Sequence, residues 1–260
     1  VLKTILFIPD THRPYHDKRA WNLVLEVGDF LNPDIVVCLG DFADFFSVSS
    51  HSKDPKRAFK LDDEIADVRV GLNELKSLGA DEKIFIAGNH EDRLSRYMMD
   101  RAPELDSFVS IPEILQLDKG GWTYIPYRED VKIGKIYLTH DVGSAGRGSV
   151  YKCMDAYQHS NITGHTHRMA YVVEADAAGQ SKVAAQFGWL GDVEAADYMH
   201  RMKARKDWTL GFGIGYLDTK TGVVYITPVP IVDYTCVVNG KFFDGRKEKR
   251  RTRIVSKGKK

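Results

Sequence analysis

Three stretches of this chain share one grammar: an apolar, β-branched run that stops abruptly in a polar turn. Thr4-Ile5-Leu6-Phe7-Ile8 runs into Pro9-Asp10-Thr11-His12. Asp34-Ile35-Val36-Val37-Cys38-Leu39 runs into Gly40-Asp41, and Lys83-Ile84-Phe85-Ile86-Ala87 runs into Gly88-Asn89-His90-Glu91-Asp92. Continuous apolar runs of this length belong to strands buried on both faces, the habit of parallel sheets. Parallel neighbours need long crossovers, and the segments between the runs supply them. Leu61, Ile65, Val68, Leu72 and Leu75 recur at spacings of four and three, one apolar stripe of a helix. Trp21, Val24 and Leu25 mark another helix between the first two runs. The N-terminal half therefore reads β-α-β-α-β with right-handed crossovers.

The second half reads mostly as strands. Trp122–Ile125, Lys135–Leu138 and Asn161–Thr163 are short candidates. Ala170–Glu174 and Ser181–Phe187 flank a turn at Asp176-Ala177-Ala178-Gly179, a hairpin signal. Phe212–Leu217 and Val223–Thr227 form a second hairpin. Helices are expected near Ser149–Gln158 and Val193–Lys203, and a loop over Ser47–Pro55. Nothing marks a domain boundary before residue 240, so residues 1–240 read as one domain of two sheets. At 260 residues such a chain buries roughly three quarters of its unfolded surface and needs no staples.

Composition sharpens the picture in two places. The three cysteines, Cys38, Cys153 and Cys236, are far apart and form no metal or disulfide spacing, so a reducing compartment, the cytoplasm, is expected. No apolar run reaches the ~20 residues of a membrane span. The net charge of +1 hides an asymmetry. Residues 241–260 hold ten Lys or Arg against two acids, a net of +8, which leaves −7 on the preceding 240. Residues 241–260 thus read as a flexible basic tail suited to nucleic acid, or plainly as a solvated end.

The chemistry sits at the strand ends. In open α/β sheets ligands bind outside the carboxyl ends of the strands. There this chain places Asp10 and His12, Asp41, and Asn89 with His90. Two further apolar segments run into His140 and into Gly164-His165-Thr166-His167. Mixed carboxylate, imidazole and carbonyl donors suit divalent ions of intermediate or hard character. Six or seven such ligands are too many for one tetrahedral zinc and about right for two ions. An extended Asp10-Thr11-His12 would aim both side chains to one side. Gly40, Gly88 and Gly164 each precede a candidate ligand, where a side chain would obstruct the turn.

Asp10-Thr11-His12, Gly40-Asp41-Phe42-Ala43-Asp44, Gly88-Asn89-His90-Glu91, His140 and Gly164-His165-Thr166-His167 are, in order, the blocks of a known signature. The chain resembles the calcineurin-like metallophosphoesterases over residues 10 to 167. The resemblance implies an α/β fold, a four-layer αββα sandwich of two mixed sheets flanked by helices. It implies two divalent ions, manganese first, with iron, zinc, nickel or cobalt as alternatives. Asp10, His12, Asp41 and His167 would hold one ion. Asp41 would bridge to the second, completed by Asn89, His140 and His165. His90 would face the substrate phosphate, with Asp44 hydrogen-bonding it and fixing its tautomer. Two ions a few ångströms apart activate a water they share for in-line attack on phosphorus.

The expected substrate is a phosphate ester. The protein serine/threonine phosphatases of this superfamily carry Asp-Arg-Gly in the second block, whereas here Asp44 is followed by Phe45-Phe46. The blocks resemble more the phosphodiesterase and DNA-repair-nuclease branches, with nucleic acid or nucleotides as substrate. A phosphomonoesterase is the alternative, and a non-catalytic scaffold a third reading that the intact ligand set disfavours. Arg93, Arg147 and Arg168 follow the blocks closely and are candidates for binding substrate phosphate, although a lone arginine is more often a solvated charge. The alternative reading of Asp44, and the plainer one of Glu91, is an acid at a helix start. His16, His51, His159 and His200 read as ordinary surface residues. Trp189, Tyr198 and Trp208 read as core or rim packing, or as a base-stacking groove. Phe42, Phe45 and Phe46 are expected beneath the site.

Overall fold

The computed structural model describes residues 1–50, 59–195 and 207–246. Its first sheet has six strands. β1 (Leu2–Ile8), β2 (Ile35–Cys38), β3 (Glu82–Ile86) and β4 (Thr123–Ile125) run parallel in that spatial order. β10 (Gly211–Asp218) joins β1 antiparallel, and β11 (Val224–Pro230) joins β10. The second sheet has the order β5-β6-β7-β9-β8, formed by β5 (Val131–Ile133), β6 (Ile136–Thr139), β7 (Asn161–Thr163), β9 (Ser181–Phe187) and β8 (Met169–Ala175). Within it β6, β7 and β9 are parallel and the edges antiparallel.

The alternation of side chains along β1 explains the layering. Ile5 and Phe7 point one way and pack, with Val37, Leu39, Ile84 and Ile86, against Ile136, Leu138, Ile162 and Phe187 of the second sheet. Leu6 and Ile8 point the other way, into helices α1 (Lys18–Leu31) and α2 (Leu61–Lys76). Asp17 caps α1, accepting the N–H of Arg19 and Ala20. The stripe predicted on α2 is the face that packs, with Val68, Leu72 and Leu75 buried and Leu61 and Ile65 beside them. Short helices α4 (Ile111–Leu115) and α5 (Leu117–Gly120) close the same layer. On the far face of the second sheet, Val150 and Met154 of α6 (Ser149–Tyr157) pack on Ala184. The layers are thus helix, sheet, sheet, helix, as expected. α3 (Asp92–Arg101) follows β3 at the sheets' carboxyl edge.

Two features depart from expectation. The chain continues past residue 240 as structure: β12 (Thr235–Val238) and β13 (Lys241–Asp244) form a hairpin whose Cys236, Val238 and Phe243 join the α1 core. Lys241 belongs to this hairpin because its neighbours alternate apolar inward, a signal that the surrounding charge conceals. The rest of the basic stretch, residues 247–260, lies outside the described residues, as do His51, Tyr198, His200 and nearly all of the helix expected over Val193–Lys203. His16 is buried, edge-on to Trp21, whereas His159 is exposed. All three cysteines are free and buried. Among the described residues no helix is long and apolar enough to cross a membrane.

Candidate metal centre

The carboxyl ends of β1, β2 and β3 and of β6 and β7 open onto one point between the two sheets. Ligating atoms of Asp10, His12, Asp41 and His167 lie within 4.8 Å of one another, and so do those of Asp41, His140 and His165. Asp41 is common to both groups. The Oδ1 of Asn89 lies 3.1 Å from His140 Nε2. Every predicted ligand therefore meets the cluster. A third group, His12, Asp44 and His90, meets the same distance criterion.

The route by which the side chains converge differs from the extended Asp10-x-His12 expected. β1 ends at Ile8, and His12 stands at φ 52°. Asp41 (φ 48°), His165 (φ 69°) and His167 (φ 57°) are also left-handed. Such backbone costs energy for a residue with a side chain and gathers at functional sites. The Asp41 carbonyl accepts from the N–H of Thr11 and His12, and the Asp10 carboxylate from the His165 N–H at 3.0 Å. The glycines serve close approach. A Cβ on Gly88 would lie 2.2 Å from Asp41 Oδ1, and one on Gly164 2.6 Å from Asp10 Oδ1. Gly40, at φ +95°, also faces the His140 ring.

His12 and His140 point their Nε2 atoms inward and anchor themselves through Nδ1. His12 Nδ1 bonds Asp44 Oδ2 at 3.0 Å, and His140 Nδ1 donates to the Leu39 carbonyl at 2.8 Å. The inward atoms crowd together. His12 Nε2 and His167 Nε2 are 2.9 Å apart, and His167 Nε2 is 3.1 Å from Asp10 Oδ2. His167 is held differently, its ring parallel to Trp189 (4.8 Å, 17°) and met edge-on by Trp208 at 4.3 Å. Its Nδ1 has no hydrogen-bond partner among the described residues. Trp189 is buried, as core packing predicts, and together with Trp208 it walls a cluster histidine. Phe42 and Phe45 are fully buried beneath the site, and Phe46 half-buried.

Burial opposes charge on Asp10, Asp41 and Asp44, yet neighbouring imidazoles outweigh it. His140, with His90 and His12, holds Asp41 well below the usual carboxylate range. His167 and His140 hold Asp10 below its ordinary value. In return Asp41 overcomes the burial of His140 and raises it to about 10. Burial prevails at His167, lowered to about 4. The cluster is a pool of buried negative charge that draws whatever cation is at hand, proton or metal.

Asp44 serves two rings. Its carboxylate is 3.0 Å from His12 Nδ1 and 3.4 Å from His90 Nδ1, and its backbone carbonyl accepts His90 Nδ1–H at 3.1 Å. The expected carboxylate–His90 bond is therefore shared with His12. Arg93 reaches the same place. Its Nη1 donates to Asp44 O and Oδ1, and its Nη2 to His90 Nε2 at 2.8 Å. Arg147 and Arg168 instead both bond the carboxylate of Asp207, at 2.5 and 2.7 Å. Glu91 is the residue that sequence reasoning undervalued. It stands before α3 but caps none of its amides. Fully buried, it accepts backbone N–H from Asp41 (3.0 Å), Ala43 (2.7 Å) and Gly88 (2.7 Å). Burial and the Asp41 charge push its carboxyl up to about 7, against three N–H groups that favour the anion. Its place directly after Gly88-Asn89-His90 was the only signal.

A family model described as calcineurin-like phosphoesterase matches residues 3–174. The gene 54 protein of Mycobacterium phage D29 is 29% identical over 93% of this chain and 99% of its own. Among solved structures, vacuolar protein sorting 29 of Cryptosporidium parvum is similar with a TM-score of 0.47 at 18% identity, covering 93% of this chain and 94% of that one. Yfce, a phosphoesterase of E. coli, is similar with a TM-score of 0.41 at 14% identity, over 90% and 97%.

Proposed function

Because the chain belongs to the calcineurin-like phosphoesterases, whose chemistry is hydrolysis of phosphate esters, we propose that it is a two-metal phosphodiesterase acting on nucleic acid or nucleotides. Asp10, His12, Asp41 and His167 hold one divalent ion; Asp41, Asn89, His140 and His165 hold the other. The observation that carries this reading is the donor set itself. Nε2 atoms and carboxylate oxygens converge at distances such as 2.9 and 3.1 Å, while outer Nδ1 atoms of His12 and His140 are tied back to Asp44 and Leu39. Outer hydrogen bonds of this kind fix the tautomer and aim the inner lone pair. Oxygen and imidazole donors suit manganese, and iron, zinc, nickel or cobalt fit the same set. When bound, such ions supply water activation and Lewis acidity toward phosphate oxygens.

The remaining work falls to side chains. His90 keeps its proton on Nδ1, held by the Asp44 carbonyl, because Arg93 donates to its Nε2. Burial lowers His90 against the pull of Asp41 and Asp44, and Arg93 adds to that lowering. Arg93 thus carries the fixed positive charge beside the cluster, and its guanidinium is the group to pair with an anionic phosphate oxygen. When it turns to substrate, His90 Nε2 becomes free to orient a reacting oxygen or relay its proton. Glu91 holds the Asp41 and Gly88 backbones, so the cluster geometry exists before substrate arrives.

The diester preference is supported by space. Beside Asn89 and His165 a groove of about 800 Å³ leads away from the cluster, with room for a substituent beyond the phosphate. Lys and Arg of residues 247–260 add contacts to a nucleic-acid phosphate chain. The test is a paired assay of the Mn²⁺-loaded protein on bis-p-nitrophenyl phosphate and p-nitrophenyl phosphate, with a chelator control. Faster diester hydrolysis supports the proposal. Faster monoester hydrolysis makes the protein a phosphomonoesterase.

A further inference from the structure

We infer that the groove beside the cluster is built for a single-stranded polynucleotide, whose phosphates follow one face of α3 while its bases meet two tyrosines. The inference rests on the phosphodiesterase reading and specifies its substrate. The groove is lined by Arg93, Arg96, Tyr97 and Arg101 from α3 and by Tyr127 and Arg128 from the loop after β4. On a helix, positions 93, 96, 97 and 101 share one face. That face carries no apolar aliphatic residue, and α3 meets the core through Leu94, buried, and Met98, half-buried beside it. A helix that packs so little of itself presents the remainder for another purpose.

The order along α3 fits a chain of phosphates. Arg93 touches His90 and Asp44, at the cluster itself. Arg96 lies about one turn further, roughly 4.5 Å along the axis, and Arg101 about 12 Å from Arg93. Set in this row, the three guanidinium groups offer a phosphate chain successive partners leading away from the cluster. Arg96 is pre-placed, its Nη2 donating to the Asn89 carbonyl at 3.2 Å and its Nε to Asp92 at 2.9 Å. Tyr97 is 43% exposed, and Tyr127 stands edge-on to His140 with the Arg128 guanidinium 5.4 Å over its ring. An exposed Tyr97 and a half-buried Tyr127, each beside guanidinium groups, offer ring surface on which unpaired bases stack, whatever their sequence. The groove is not purely basic. Asp92, Asp100 and Asp141 also line it, but Asp92 is engaged by Arg96 and Asp141 accepts the Gly143 N–H. Guidance along the groove therefore comes from placed guanidinium groups more than from net charge. A duplex hides its bases from the tyrosines, and a compact monoester would leave most of the groove unused.

The experiment uses the full Mn²⁺-loaded chain and the triple variant Arg96→Ala, Tyr97→Ala, Arg101→Ala. Substrates are 12-residue oligo(dT), oligo(U), a blunt DNA duplex and bis-p-nitrophenyl phosphate. Binding of labelled oligonucleotides is followed separately by fluorescence anisotropy in chelator. The expected result is cleavage of one or both single strands, DNA and RNA arms reporting which. The triple variant should lose at least tenfold more kcat/KM on the oligonucleotide than on the small diester and bind the strand at least fivefold more weakly. Lys220→Ala, in the exposed turn between β10 and β11, serves as the control. Wild-type hydrolysis of the small diester without binding or cleavage of either strand overturns the groove assignment and leaves the phosphodiesterase reading standing. So does an equal loss on both substrates, or a preference for duplex. Failure on the small diester refutes the phosphodiesterase reading, and the anisotropy result then decides the groove alone.

Discussion

Replacing Glu91 should damage the protein more than any other single carboxylate away from the metal ligands. Its two oxygens accept three backbone N–H groups, from Asp41, Ala43 and Gly88, and the side chain is fully buried. Glu91→Ala strands all three donors without water. At about 1–3 kcal/mol for each unsatisfied buried group, the loss is about 3–9 kcal/mol, comparable to the whole stability of a typical domain at ~5–15 kcal/mol. Glu91→Gln is the gentler probe. Its carbonyl can keep the Asp41 and Gly88 bonds, but its amide then faces the Ala43 N–H, donor against donor. One lost acceptor predicts about 1–3 kcal/mol. Urea unfolding followed by tryptophan fluorescence reads both, provided the m-value is unchanged. A Gln variant within about 0.5 kcal/mol of the parent, the range of ordinary surface changes, would refute the latch. So would an Ala variant that unfolds at the parent's midpoint.

Asp41→Ala or His165→Ala should abolish metal-dependent hydrolysis, measured as turnover with and without chelator. His90→Ala should keep both metals by elemental analysis and lose about 10²–10⁴ in kcat; loss of metal would instead make His90 a ligand. Gly88→Ala should weaken metal binding by isothermal titration, because its Cβ would lie 2.2 Å from Asp41 Oδ1. His140 is raised to about 10 by Asp41 despite its burial. In the metal-free protein its pairing therefore stabilises the fold below pH ~6.5 and fades as pH rises toward 10. A metal that takes Nε2 must displace that proton. Mn²⁺ affinity should rise with pH, and titration at pH 7.5 in buffers of different ionisation heat should show release of the His140 proton as the site it completes is filled; no release would contradict the assignment.

The sheets and the clustered side chains were legible because strong local patterns coincide there with tertiary need. Runs such as Ile35–Leu39 are apolar on both faces because helices cover one face and the second sheet the other. Asp10, His12, Asp41, Asn89, His140, His165 and His167 stand at strand ends, where topology alone brings them together. What escaped the sequence depends on contacts distant along the chain. Glu91 is an ordinary acid until Asp41 and Ala43 turn their amides to it. Trp208 gains its role only against His167, some forty residues away. Phe243 looks like part of a charged end until its ring meets Phe30 of α1. His16 reads as a surface residue, but the fold packs it on Trp21 beside Asp67.

The positions of bound cations test the two-ion centre most directly. Crystals of the full chain grown with Mn²⁺ and measured at an anomalous wavelength should show two peaks, one among Asp10, His12, Asp41 and His167, the other among Asp41, Asn89, His140 and His165. A single peak would contradict the two-ion centre. A peak bounded by His12, Asp44 and His90 would move the metal to the group assigned here to substrate and proton handling.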